Sequence, residues 1–194
     1  PETRDGSEAG LRLTGAPVAL TASVFQTEYG DFIESKVNLG VDPATGVTLF
    51  QSQNVAEARI YGAEFDARVD LSAWSPGLQG WSGRLAASWT RGEDLTRDVP
   101  LNSIDPPQLV LSVRYDAPSA RWGSELALTA VEAQREVDRS RAVLYRTDGY
   151  ATLDWLANVS LSPRLRLNVG LFNLTNTAYI EWSDVRGRVA DDPL

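Results

Sequence analysis

EARIYGAEFDARVDL, residues 57–71, places Tyr61, Ala63, Phe65, Ala67, Val69 and Leu71 alternately with Gly62, Glu64, Asp66, Arg68 and Asp70. A helix would return apolar side chains every three or four residues, so a period of two describes a strand with one apolar and one strongly polar face. The alternation predicts a strand of about 14 residues, well beyond the usual five or six.

The same pattern recurs on both sides of this stretch. Leu85, Ala87 and Trp89 alternate with Arg84, Ala86 and Ser88, and Leu109, Leu111, Val113 and Tyr115 alternate with Val110, Ser112 and Arg114. Trp122, Leu126, Leu128 and Ala130 follow, then Ala151, Leu153, Trp155, Ala157, Val159 and Leu161, then Leu165, Leu167, Val169 and Leu171. Upstream, Leu20, Ala22 and Val24 oppose Thr21, Ser23 and Thr27, and a shorter candidate runs over residues 7–13. About eight strands result, with no amphipathic helix required.

The connections alternate as well. Residues 14–17, 116–120 and 162–164 are short turns rich in Gly, Pro or Ser, whereas 34–54, 93–107 and 136–147 are longer and more polar. One link, SAWSPGLQGWSG at 72–83, is longer than its place in this scheme predicts. The order describes an antiparallel up-and-down sheet with one short-turn rim and one long-loop rim. A soluble sandwich or small barrel would turn the apolar faces into a core, and a transmembrane β-barrel would turn them to lipid. Strand length favours the barrel, as do Trp74, Trp81, Trp89, Trp122, Tyr115 and Tyr150 near strand ends, where interfacial girdles form.

The composition closes off other functions. The 194 residues carry a net charge of −8 and contain neither Cys nor His, so they offer no disulfide, thiolate or imidazole chemistry. No Lys/Arg stripe is available for nucleic acid, and no apolar run is long enough for a membrane-spanning helix. Catalytic and metal-binding residues are not expected. Glu64 and Asp66 continue into Arg68 and Asp70, a mixed-charge row that reads as a hydrated wall, and no EF-hand, Walker or dinucleotide spacing occurs. The acceptor patterns at Asn158 and Asn173 fall on or at the end of strands and receive no function. Ligand-binding candidates lie in the loops: Tyr145 with Arg146, and Trp182, Asp184 and Arg186 in YIEWSDVRGR, side-chain types common at binding hot spots.

Four stretches, PETRDGSEAGLRL at the start, QNVAEARIYGAEFDARV at 53–69, IDPPQLVLSVRYD at 104–116 and YATLDWLANVSLSPRLRLNVGLFNLTNTAYIEW at 150–182, resemble the C-terminal barrel portion of TonB-dependent outer-membrane receptors. They occur in the family's order and cover most of the chain. The resemblance implies an incomplete arc, here about eight strands, of a barrel of about 22 that encloses a plug. It implies that residues 1–194 are a C-terminal portion, with the plug, the TonB box and the family's final strand outside it.

The implied function is import of a scarce nutrient across the bacterial outer membrane with energy from the TonB complex. AYIEWSDVRG at 178–187 is similar to the haem or haemoglobin receptor branch, so haem or a haem protein is the first ligand expected and a ferric siderophore the second. No covalently bound cofactor is implied. The resemblance requires lipid and the remaining barrel and plug polypeptide as partners. It turns Glu64, Asp66, Arg68, Arg114, Asp154, Arg166 and Asn168 to the lumen, and Tyr61, Phe65, Val69, Leu111, Val113, Leu126, Leu128, Leu153 and Trp155 to lipid. A soluble all-β module binding protein or carbohydrate is the alternative of another class.

Overall fold

A computed structural model describes residues 2–140 and 142–190. Among these, β1 (Thr3–Thr14), β2 (Val18–Val41), β3 (Thr48–Asp70), β4 (Trp81–Asp94), β5 (Val99–Pro100), β6 (Gln108–Asp116), β7 (Trp122–Val131), β8 (Tyr150–Ser162) and β9 (Leu165–Leu171) form one sheet. The long strands lie side by side in chain order, every pair antiparallel, and the two-residue β5 attaches only to β4. The sheet is an arc with open edges at β1 and β9.

Because neighbouring strands are antiparallel and in regular register outside shifts near the ends of the β2–β3 and β8–β9 ladders, the alternation read along each strand becomes a continuous surface across them. One row runs Leu13, Leu20, Ala67, Leu85, Leu111, Leu128 and Leu153, each opposite the next. Among the described residues no second layer covers this face. Leu13, Leu111 and Leu128 keep 53%, 46% and 37% of their surface exposed. A soluble module would bury such a row, so the sandwich alternative has no core here.

Aromatic rings bound this face. At the short-turn rim Trp81, Tyr115 and Trp122 form a chain of tilted rings with centroids 5.2 and 5.1 Å apart. Toward the other rim Tyr61 meets Trp89 edge to face at 5.8 Å. Trp81 and Trp89 are separated by about 27 Å along β4, which at a barrel strand's tilt is about 20 Å of height, close to the apolar band of an outer-membrane barrel.

Three details differ from the sequence expectation. First, 34–54 is not a loop: β2 and β3 continue as a hairpin to Val41 and Thr48, so β3 has 23 residues. Register shifts between Glu34 and Val37 and between Asn38 and Val41, with positive φ at Asp31 and Lys36, break the period of two. Second, β1 runs the full Thr3–Thr14, longer than the expected 7–13. Third, the long link at the short-turn rim holds two single turns of 3₁₀ helix, Leu71–Ala73 and Pro76–Leu78, capped by the Asp70 and Ser75 side chains. It closes on Gly80, whose φ of +84° and contact with the Asp116 carbonyl leave no room for a Cβ.

Apart from those turns, the described helix content is the four-residue α1, Trp182–Val185. The two buried apolar clusters lie at the long-loop rim. Val55, Ala58 and Leu101 pack with Tyr29, Phe32, Ile60 and Ile104, and Val137, Leu144, Trp182 and Val185 pack with Ala142, Tyr145 and Ile180. The polar face of the sheet therefore has a roof of loops at one end.

Candidate functional site

Two regions can meet a ligand: the polar face of the sheet and the loop cluster at its end. On the polar face Asp66 accepts Arg84 Nε at 2.8 Å, and Arg68 Nε lies 3.4 Å from Asp66. Glu64 stands between Ser23 and Ser88. Arg114 binds Asp116 at 2.6 Å and Glu125 at 3.5 Å. Asp154 accepts the Asn173 amide at 2.7 Å, Arg166 donates to Ser160 at 3.4 Å, and Asn168 faces Asn158. All seven polar residues singled out from the sequence share this face. Asp66 is paired with Arg84 and Arg68, and Arg114 with Asp116 and Glu125, whereas Glu64, Asp154 and Arg166 stand against neutral groups, which yields a wall of exchangeable hydrogen-bonding groups.

The loop cluster is organised by the segment after β9. Trp182, 3% exposed, donates its indole Nε1–H to the Asn102 carbonyl at 2.9 Å. Arg186 reaches the Ser103 carbonyl at 3.5 Å and Ser35 Oγ at 3.3 Å, and Asn38 donates its side-chain amide to the Gly187 carbonyl at 2.6 Å. Leu144 and Val189 form a bridge in which the Tyr145 amide donates to Arg188 and the Ala190 amide donates to Val143, both at 2.8 Å. One ten-residue stretch, 181–190, thus ties the β2–β3 hairpin, the β4–β6 loop and the β7–β8 loop together.

The five loop candidates fall into different roles. Tyr145 is half-buried against the Trp182 cluster, and Arg186 is half-buried at the junction with Ser103. Arg146 and Asp184 are exposed. Trp182, expected as a ligand contact, is interior packing that holds the loops.

Sequence reasoning missed the polar supports. Asp94, 1% exposed, accepts the Thr96 and Arg97 amides at 2.9 and 3.0 Å and Arg97 Nε at 2.6 Å. Arg97 extends to Asp138 at 3.0 Å, and the Asp138 amide is held by the Asn102 side chain at 2.8 Å. Glu34, 4% exposed, accepts Ser103 Oγ at 2.8 Å, and burial pushes its carboxyl above the ordinary value of 4.5 despite Ser103 and the nearby Arg186 and Arg97. The available signal was the Asp94–Thr96–Arg97 spacing, which suits a side-chain-capped turn.

A model of the TonB dependent receptor-like β-barrel family matches residues 1–174. A probable hemoglobin and hemoglobin-haptoglobin-binding protein of Haemophilus influenzae is 27% identical over 96% of this chain and 20% of its own length. Transferrin-binding protein A of Neisseria meningitidis is 27% identical over 96% of the chain and 23% of its own length. The chain thus spans about a fifth of the length of such relatives. In three dimensions it superposes on 27% of the copper transporter OprC with a TM-score of 0.80 over 93% of the chain, at 20% identity.

Proposed function

The chain belongs to the TonB-dependent receptor β-barrel family, whose members are outer-membrane transport receptors rather than enzymes, and from that premise we propose that it is part of a receptor importing haem, or haem drawn from haemoglobin. The observation that supports the reading is the continuous apolar face, which suits lipid, backed by a mixed-charge face, which suits an aqueous passage. Glu64, Asp66, Arg68, Arg114, Asp154, Arg166 and Asn168 are its lumen wall. Mixed charges and neutral hydrogen-bonding groups there give weak contacts along which a ligand can pass.

Capture falls to the loop cluster. Arg146 and Arg186 suit the carboxylates of a haem or an anionic chelate, Asp184 and Tyr145 offer hydrogen bonds, and Trp182 acts as their buttress. The likeness to a haemoglobin-binding protein supports haem as the cargo. The absence of His from these 194 residues favours a second reading, a ferric siderophore, because this stretch brings no imidazole to haem iron. Energy would enter through TonB contacts made outside this stretch.

Ligand capture by the receptor purified from outer membranes decides between these cargoes. Haem, haemoglobin and a panel of ferric siderophores are presented, and the haem absorption band is followed. Retention of haem with no retention of siderophores supports the first reading, the reverse supports the second, and retention of neither overturns both.

A further inference from the structure

Glu34 sits eight residues past Gln26, the partner of the girdle residue Tyr61, and so about 25 Å further along β2, clear of the membrane band. One carboxylate oxygen, Oε2, is held by Ser103, whereas Oε1 is buried without a hydrogen-bond partner. Arg186 is in the same position. Its two terminal nitrogens reach Ser103 and Ser35, and its Nε is buried without a partner. Two opposite charges therefore share the residues 34–35 and Ser103 but do not satisfy each other.

The other groups around Glu34 do not neutralise it. Arg97, the second cation acting on it, is already held by Asp94 and Asp138. Gln53, opposite it on β3, is uncharged, and Lys36 on its own strand is exposed. An ionised Glu34 is thus an under-solvated charge lodged where three loops are tied.

We propose that the Glu34–Ser103–Arg186 junction is a proton-operated latch: with Glu34 neutral the segment 181–190 holds the loops closed over the polar face, and with Glu34 ionised the closed state is strained and primed to release. The direction follows from linkage. A carboxyl raised by burial binds its proton more tightly closed than open, so closure is fully supported below 4.5 and loses support as pH rises through the raised value. Asp138 works in a separate window. Its burial is outweighed by hydrogen bonds from Ser140 and by Arg97, which hold it below 3.8, so it weakens the loops only in stronger acid. The latch depends on loop geometry and not on which ligand is carried, so it stands or falls apart from the cargo.

Amide hydrogen exchange on the receptor purified from outer membranes tests it, with rates corrected for intrinsic exchange. The reporters are the Tyr145 and Ala190 amides, which bond between the β7–β8 loop and the segment. Their protection is expected to fall as pH rises above 4.5, by up to about tenfold per pH unit until Glu34 is ionised. In Glu34→Gln the protection is flat and equals the acid level of the unmodified protein. In Ser103→Ala, which removes a donor to the carboxylate, the fall moves to higher pH. A pH-independent unmodified protein, or the same profile in Glu34→Gln, overturns the latch. Should Glu34→Gln not assemble, an unmoved midpoint in Ser103→Ala overturns it equally.

Discussion

Trp182 and Asn102 are 80 residues apart in sequence and joined by one hydrogen bond of 2.9 Å, from indole Nε1–H to a backbone carbonyl. That bond lets the segment after β9 govern the loop between β4 and β6, on the far side of β6, β7 and β8. The indole also fills the space between Val137, Leu144 and Val185.

Trp182→Ala removes both the bond and the packing. The expected loss is about 3 to 5 kcal/mol of local stability, confined to the loops. Limited proteolysis should cut within 95–107 and 132–149 much faster than in the unmodified receptor, with the strands as resistant as before.

Asp94 predicts a graded pair of variants. Asp94→Ala strips two amide caps and the Arg97 partner from a fully buried site, at a cost of about 3 kcal/mol. Asp94→Asn retains the caps through its carbonyl oxygen and should lose less. Exchange protection of the Thr96 and Arg97 amides ranks the two, and equal protection would show that the carboxylate does not organise the turn.

The facing of the sheet predicts an asymmetry in assembly. Phe65→Arg or Leu128→Arg puts a charge in hydrocarbon at a cost of about 2 to 4 kcal/mol near the bilayer centre. Glu64→Gln changes only the aqueous wall. Folded receptor recovered from outer membranes should drop strongly for the first two and hardly at all for the third.

Arg146 is exposed on the β7–β8 loop and takes no part in the ties among loops described above. Arg146→Glu should leave assembly intact and weaken capture of an anionic ligand about tenfold or more, through loss of one charge-assisted contact and gain of a repulsion. Titration of the haem band measures this, and unchanged affinity removes Arg146 from the site.

What was legible in the sequence follows from the period of two. Where each strand pairs regularly on both sides, as Ala63 does with Val24 and Trp89, the alternation is intact and the strand is read correctly. Beyond Gly30 and Ala58, β2 and β3 pair only with each other, bulges enter, and alternation stops being a guide although the ladder continues. The loop cluster was illegible for a different reason. The Trp182, Glu34 and Asp138 contacts join residues 36 to 80 positions apart, and no local pattern encodes such meetings.

The central claim is that one face of this arc meets lipid and the other lines a passage, and β3 tests it residue by residue. Single cysteines at positions 63–68, introduced into a stretch with no native cysteine, carry nitroxide labels in receptor reconstituted in bilayers. Collision with oxygen, which concentrates in lipid, is expected to peak at Ala63, Phe65 and Ala67, and collision with a water-soluble nickel chelate to be higher at Glu64, Asp66 and Arg68. Equal access to both probes along the strand, or the opposite phase, would contradict the account.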